Sequence, residues 1–222
     1  DQLKKIIEQY EYYSLTLEGL SEKLRLNLDY LRLLIIFMES KGFEDKKAVM
    51  ALIEKANKEG ENVLATEIIF LLIEDLTGKK KFSEAIELLN DIDLVNYIQE
   101  NIIFRAQREY LLGKIAYHTQ YENLKSPIEY FEQAYYLLEE ESIYELTWKI
   151  LFTIAETYWE RGNFHKAKKP RHYAYELINM IGENITDNKL RSTYFNHSER
   201  KKALEKLVLI GNQTQLNEYQ KS

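Results

Sequence analysis

The sequence has no cysteine, only two prolines among its 222 residues, and no long apolar run. The lack of cysteine excludes disulfides, cysteine nucleophiles and thiolate metal sites, and it fits a reducing compartment. The longest apolar run, residues 33–38, is far shorter than the roughly 20 residues that a membrane-spanning helix needs. No signal peptide opens the chain. We therefore expect a cytoplasmic protein without a membrane segment.

Charge and composition narrow the class of partner. Hydrophobic residues make up 45% of the sequence and charged residues 30%, so nearly all of the chain should fold, except the polar tail at residues 212–222. The net charge of −6 argues against a large nucleic-acid surface, because such surfaces need clustered lysine and arginine. Basic runs occur at residues 79–81, 166–171 and 200–202, and we interpret each as a solvated helix end or loop.

Three segments of the sequence superimpose with a period of 40 to 42 residues. Each segment has a small-residue landmark in a first predicted helix and a second landmark at the start of the next helix. The landmarks are Ile73, Gly113 and Ala155 in the first helices, and Ala85, Pro127 and Ala167 in the second helices. Small residues are needed there because antiparallel helices that cross at about 8–10 Å leave little room for side chains. The pattern predicts three helical hairpins.

The third segment, IAETYWERGNFHKAKK, resembles the tetratricopeptide repeat, and the first two segments match it in part. The resemblance covers residues 62–180, and we assign three such repeats to residues 62–182. It implies an all-α fold, a right-handed superhelical solenoid of antiparallel helix pairs that serves as a binding scaffold. The period exceeds the usual value of about 34 residues and approaches the HEAT and armadillo range of about 40–47, so HEAT-like packing is the alternative.

The two prolines have different predicted roles. Ser126 and Pro127 form a capping residue followed by a first-turn proline, where the missing N–H has no structural cost. Pro170 lies beyond the first turn of a helix, where proline removes a backbone hydrogen bond at a cost of about 3 kcal/mol. Because apolar spacing continues through Tyr173 and Leu177, we expect helix on both sides of a bend at Pro170.

Residues 183–222 are predicted to be C-terminal capping helices and a tail. Thr186 and Asp187 can cap a short helix, and Ser198 a last helix that ends near Gly211. Residues 186–207 resemble the segment that follows tetratricopeptide arrays in bacterial multidomain regulators. Since the first residue is Asp1 rather than methionine, we expect a fragment of a larger bacterial signalling or regulatory protein.

Residues 1–61 are predicted to be N-terminal helices that cap the array as hairpins. The alternative is a helix-turn-helix in residues 15–35, with Ser21 at its small-residue position, a break at residues 25–27, and Asn27 capping the recognition helix. Arg25 stands where that motif usually has glycine, and Asp29 beside Arg32 makes a poor phosphate-binding set. We therefore favour the hairpin.

The sequence shows no enzyme chemistry. It has no glycine-rich phosphate loop, serine nucleophile motif or metal signature. We interpret His165 and His172 as solvated surface residues, and His118 and His197 as turn residues without a catalytic constellation. We therefore expect no catalytic residue, no cofactor and no metal.

The resemblance also implies a binding surface, because the first helix of each tetratricopeptide pair lines a concave groove. Transferred residue by residue, the partner-binding positions are Phe70, Glu74, Tyr110, Lys114, Tyr117, Phe152, Glu156 and Trp159. Recurring aromatic residues suit an extended peptide or an amphipathic helix. The alternative is that these rings pack between neighbouring repeats. Only Lys114 fits the family's carboxylate-clamp variant, which argues against a chaperone-tail receptor.

Two function classes follow. The first is a non-enzymatic interaction or sensory scaffold that binds a protein, a peptide or a neighbouring domain through the aromatic groove. The second is a transcription regulator with an N-terminal DNA-binding segment and effector-sensing repeats. Self-association is a third possibility, while membrane binding and nucleic-acid binding are not expected from the repeats.

Overall fold

The computed structural model describes residues 22–40, 42–91, 98–119 and 123–219. Within these ranges the regular structure consists of helices and contains no β-strand, which confirms the predicted all-α class. None of the helices in this part of the chain combines the length and the apolar character needed to cross a lipid bilayer. The chain divides into two compact units, Asp1–Val95 and Asn96–Ser222. The division falls inside the segment predicted to hold three repeats.

The first unit contains four helices in its described part. They are α1 (Glu22–Ser40), α2 (Lys46–Lys58), α3 (Asn62–Gly78) and α4 (Phe82–Leu89). Asp45 caps α2, because its carboxylate accepts hydrogen bonds from the backbone N–H groups of Lys47 and Ala48 at 2.9 and 3.1 Å. The start of α4 at Phe82 agrees with the predicted second helix of the first repeat.

The helix break predicted at residues 25–27 is wrong, because these residues lie inside α1. The side-chain amide of Asn27 donates to the carbonyl of Lys23, 2.9 Å away and one turn earlier, so Asn27 caps no helix. Leu26 and Leu28 are buried on either side of it, which ties this part of α1 to the core. The remaining residues of the predicted motif, 15–21, lie outside the described residues.

The buried carboxylate of Asp75 on α3 holds the segment that connects α1 to α2. Asp75 is only 6% exposed. It accepts a hydrogen bond from the backbone N–H of Phe43 at 3.1 Å and pairs with the Lys79 ammonium at 2.8 Å. Lys79 also donates to the Phe43 carbonyl at 2.5 Å. Because the carboxylate is both paired and hydrogen-bonded, its burial does not leave an uncompensated charge.

The second unit is described as six helices. They are α5 (Ile102–His118), α6 (Pro127–Leu138), α7 (Tyr144–Glu160), α8 (Phe164–Glu183), α9 (Asn188–Asn196) and α10 (Ser198–Tyr219). The predicted cap of α6 is confirmed: Ser126 and Glu129 form a capping box, with Pro127 in the first turn. Asp187 caps α9 as predicted, since its carboxylate accepts from the Leu190 N–H at 2.8 Å.

Gly113 is a point of close approach between α5 and α6. A β-carbon built on Gly113 would lie 2.5 Å from a ring carbon of Phe131, closer than real β-carbons come to other atoms. Phe131 is fully buried and also packs on Tyr110, with the ring centroids 5.9 Å apart. The predicted requirement for a small residue at this position therefore has a specific cause, which is the Phe131 ring.

Pro170 lies inside α8, and the helix continues on both sides of it, as predicted. Proline has no N–H, so the carbonyl of Lys166 cannot receive the hydrogen bond that residue 170 would otherwise donate. Asn163 starts the helix by accepting a hydrogen bond from the Lys166 N–H at 3.3 Å. The bend expected at Pro170 stays a prediction.

The last helix runs past its predicted end. The prediction that it ends near Gly211 is wrong, because α10 continues to Tyr219 and includes most of the tail expected to be disordered. Gly211 lies against Arg171 of α8, where a β-carbon would be 2.5 Å from the guanidinium. The Arg171 Nε atom donates to the Leu207 carbonyl at 2.8 Å. This glycine serves close packing and does not end the helix.

We predict that Gly113→Ala lowers the free energy of unfolding by about 1–3 kcal/mol, because the added methyl group overpacks against Phe131. Urea denaturation followed by circular dichroism measures this change. Gly78→Ala is the matched control, since Gly78 ends α3 and a β-carbon added there would meet no neighbouring segment within 4 Å. A Gly113→Ala variant as stable as the wild type would contradict the close approach.

Candidate functional site

Phe70, one of the two predicted partner-binding residues of α3, has no side-chain surface that a partner could contact. Phe70 is fully buried, so its ring contributes to the core of the first unit. Glu74, one turn later on α3, is half-buried. In the second unit Tyr110 is 8% exposed and packs on Phe131. The sequence pattern therefore identified aromatic positions, but two of its rings serve internal packing.

Tyr117 is the most accessible ring of the predicted set, with 45% of the residue exposed. Its hydroxyl donates a hydrogen bond to the Glu160 carboxylate of α7. This hydrogen bond, together with burial, raises the pKa of Tyr117 to about 12. Lys114 is half-buried, and its Nζ atom lies 5.5 Å from the centroid of the Tyr110 ring. Both side chains already have partners within the second unit.

The predicted positions of α7 are covered by α10. Trp159 donates from Nε1 to the Gln213 Oε1 atom at 2.7 Å, and the Lys206 Nζ atom lies 4.3 Å from the Trp159 ring centroid. Lys206 also pairs with Glu156 at 3.4 Å. Phe152 packs against the core cluster that contains Leu207. Glu156 and Trp159 therefore contact a helix of the same chain, and Phe152 packs against a core cluster.

Two further ion pairs join α7 and α10 near their N-terminal ends. Arg200 contacts Glu145 at 2.7 Å, and Lys149 contacts Glu199 at 3.3 Å. The Arg200 guanidinium also lies 4.1 Å from the Tyr194 ring centroid. Charged contacts therefore extend along most of the shared length of the two helices. Nothing in the sequence pattern of either helix alone indicated this pairing.

An open pocket of about 370 Å³ lies among α6, α7 and α8 of the second unit. Its volume is within the range of about 300–1,000 Å³ typical of ligand sites. Three tyrosines define it, Tyr135, Tyr158 and Tyr173, and we call it the tyrosine pocket. The other lining residues are Glu132, Leu151, Ile154, His165, Lys166, Lys169 and Pro170. The sequence analysis did not identify this site.

The floor of the tyrosine pocket is apolar and fixed. Leu151 and Ile154 of α7 are buried beneath it. Tyr158 donates its hydroxyl to the Glu132 carboxylate of α6 at 2.5 Å. Burial, with a smaller contribution from Glu132, raises the pKa of Tyr158 to about 12, so the hydroxyl stays protonated at neutral pH. Burial also raises the pKa of Tyr135.

Positive charge is concentrated on the α8 side of the tyrosine pocket. The Lys166 Nζ atom lies 5.4 Å from the Tyr158 ring centroid, and the Lys169 Nζ atom lies 5.5 Å from that of Tyr173. Each cation–π contact is worth about 0.5–1 kcal/mol at an exposed site. His165 is exposed beside them. The pocket thus has an aromatic interior and a cationic rim.

The lysines of α8 stand where a helix ordinarily disfavours them. The N-terminus of a helix carries partial positive charge, which favours acidic residues in the first turn. The first turn of α8 has no acidic residue and includes Lys166. Pro170 on the same wall is likewise unfavourable inside a helix. Departures from local helix preference are a feature expected at functional sites, and two of them lie on one wall of this pocket.

The arrangement is suited to binding. Its polar groups are the Glu132 carboxylate, which accepts from the Tyr158 hydroxyl, and the lysine ammonium groups above aromatic rings. Within the described ranges, no group of three or more His, Asp or Glu side chains is placed to hold a metal ion. The sequence signal that marks the site is the basic run with an internal proline, residues 165–171.

We predict that Lys206→Glu lowers the free energy of unfolding by about 1–2 kcal/mol, because it removes the contact with Trp159 and places a like charge beside Glu156. Thermal and urea denaturation measure the change. Lys202→Glu is the control, since Lys202 is exposed on the same helix. Equal stability of the two variants would contradict the pairing of α7 with α10 at this point.

We predict a pH-dependent effect of Glu156→Gln. Burial raises the pKa of Glu156 above its ordinary value of 4.5, outweighing the attraction of Lys206. The folded chain therefore binds this proton more tightly than the unfolded chain, and stability falls as pH rises from 4.5 through the raised pKa. The variant lacks this loss, so its stability relative to the wild type should be greater at neutral pH than in mild acid.

Urea denaturation at both pH values measures this difference. A relative stability that is the same at both pH values, or that favours the wild type more at neutral pH, would contradict the raised pKa of Glu156. Glu205→Gln provides a comparison, because Glu205 lies on α10 and is exposed.

Comparisons of the chain with protein-family models, with curated proteins and with solved structures find no match. The tetratricopeptide resemblance of residues 62–180 therefore stays a prediction that depends on the residues quoted for it. What the protein does has to be inferred from the geometry of its own surfaces, and the tyrosine pocket supplies a surface that is both concave and open.

Proposed function

We propose that this protein is a non-enzymatic helical scaffold that binds a segment of another protein or a peptide in the tyrosine pocket. The observation that carries the proposal is the open space of about 370 Å³ lined by Tyr135, Tyr158 and Tyr173. Tyrosine offers a large contact area and has few rotatable bonds to order, so tyrosine-rich surfaces suit the recognition of peptide side chains. A buried aliphatic floor beneath the rings supplies the apolar contact.

The site differs from the groove expected from the tetratricopeptide resemblance. Of the expected positions on α7, Glu156 and Trp159 contact α10 and Phe152 packs against a core cluster, whereas Tyr158 lines the pocket. A right-handed solenoid of antiparallel pairs is part of the proposal. The short turns that join α3 to α4 and α7 to α8 support helix pairing of this kind.

The pocket is also open at its edge. Tyr173 is 39% exposed, and Lys166 and Lys169 are exposed, so a partner reaches the rings without rearrangement of the helices. Binding to a preformed site avoids the ordering cost that a flexible surface would add. An exposed ring at the entrance, Tyr173, is therefore the residue whose removal tests the site with the least effect on the core.

We expect selection from a random peptide library on the wild-type chain to yield peptides that bind in the tyrosine pocket. Tyr173→Ala should weaken the selected peptides by about tenfold, or 1.4 kcal/mol. Tyr136→Ala is the matched control, because Tyr136 is 72% exposed on α6 and lies outside the pocket lining. Fluorescence anisotropy measures both affinities.

The proposal is tested by how much the affinity of the selected peptides falls in each of the two variants. Equal loss with Tyr136→Ala and Tyr173→Ala, or no loss with Tyr173→Ala, would place binding elsewhere and overturn it. A library that yields no binder to the folded wild-type chain would also count against it. Circular dichroism establishes that both variants retain the helical content of the wild type.

A further inference from the structure

We propose that the tyrosine pocket takes an acidic peptide segment, with one large aromatic side chain inserted between the tyrosines and flanking carboxylates placed on the lysine rim. This inference rests on the proposed function and names the chemistry of its ligand. It depends on three features of the pocket: the asymmetry of charge across it, its buried apolar floor and the positions of the two rim lysines.

The two sides of the tyrosine pocket carry opposite charge. The rim formed by α8 carries the ammonium groups of Lys166 and Lys169, while the whole chain has a net charge of −6. The opposite wall carries Glu132, whose carboxylate already accepts the Tyr158 hydroxyl. A cationic ligand would have to pass the ammonium groups of Lys166 and Lys169 to reach the Glu132 carboxylate. Charge complementarity therefore favours an anionic ligand that lies toward α8.

The lysines are positioned to contact such a ligand. They lie three positions apart in the sequence, so they are on one face of α8 about one turn apart. Each ammonium already lies within 6 Å of the centroid of a pocket tyrosine, Tyr158 for Lys166 and Tyr173 for Lys169. An ammonium has three donors, so it can remain above its ring and still donate to a carboxylate. Two carboxylates with an aromatic residue between them match this spacing.

The interior selects the side chain that is inserted. Leu151 and Ile154 form the buried floor, and Tyr135 and Tyr173 form the sides. Aromatic rings prefer offset or edge-to-face contacts with other rings, so a tryptophan or phenylalanine side chain gains more here than an aliphatic one. Pro170 adds an apolar ring to the wall and withholds an N–H, which leaves the Lys166 carbonyl without its usual helical donor.

Nucleic acid is the competing anionic ligand, since bases also stack on tyrosine rings and phosphates also bind lysine. The rim, however, has two lysines rather than a track that follows a backbone, and Glu132 lies across from them. A phosphate chain that crossed the pocket would approach this carboxylate. The structure therefore favours the peptide, and an oligonucleotide belongs in the test as a competitor.

The test uses a fluorescein-labelled peptide with the central sequence Asp-Glu-Trp-Asp-Glu, and fluorescence anisotropy with the full chain. We expect it to bind at least about tenfold more tightly than the same peptide with Asn and Gln in place of the acids, or with Ala in place of Trp. Its affinity should fall as salt is raised, because rim charges are screened. An unlabelled oligothymidine should compete poorly.

Charge-reversed variants identify the rim. Lys166→Glu combined with Lys169→Glu should weaken the acidic peptide by about tenfold or more. Acidic residues are favoured near a helix N-terminus, so this variant should fold. Lys201→Glu combined with Lys202→Glu makes the same change in net charge on exposed residues of α10 and should leave binding within about twofold.

Several results would overturn the inference. They are equal binding of the amide peptide, tighter binding of oligothymidine, and equal loss in the two double variants. If library-selected peptides bind and respond to Tyr173→Ala but are not acidic, the ligand chemistry named here is wrong and the proposed function stands. If no binding responds to Tyr173→Ala, both fail.

Discussion

The contact among Ala155, Ala167 and Ile210 is the constraint on which the second unit depends. All three side chains are fully buried at the point where α7, α8 and α10 meet. Alanine at two of these positions lets α7 and α8 approach closely, as helix crossings with small residues allow. A larger side chain there would separate the floor of the tyrosine pocket, which α7 supplies, from its rim, which α8 supplies. Binding geometry and core packing are thus set by the same contact.

The α8 helix combines features that each weaken a helix. Its first two turns carry lysine, arginine and histidine instead of acidic residues, and they also contain Pro170. The helix persists because Ala167, Ala174 and Ile178 are fully buried on its other face. Tertiary packing therefore stabilises a segment whose local preferences are poor, and the exposed face is left open to other requirements.

Much of the helical framework could be predicted from the sequence, because its signals are local. The Ser126 and Pro127 start, the Asp187 cap and the requirement for a small residue at Gly113 all depend on neighbours within a few residues or on one crossing. The extent of α10 could not be predicted, since Gly211 is also the usual residue at a helix end. Only its contact with Arg171 decides between the two roles.

The candidate site was harder to predict for the same reason. Residues at the predicted groove positions have the expected aromatic character, but Trp159 is covered by a helix whose Gln213 lies 54 residues later in the chain. The tyrosine pocket draws its lining from three helices, and no spacing rule within one helix joins Tyr135 to Tyr173. Recognising either surface requires knowing which helices are neighbours.

Tyr158 and Trp159 are consecutive residues with opposite surroundings. The first lies over the pocket floor and contacts Glu132, and the second contacts Lys206 and Gln213 of the last helix. Because both rings are attached to one turn of α7, any rotation of that helix would move both rings together. The tyrosine pocket and the contacts of α10 are therefore linked through this turn of α7.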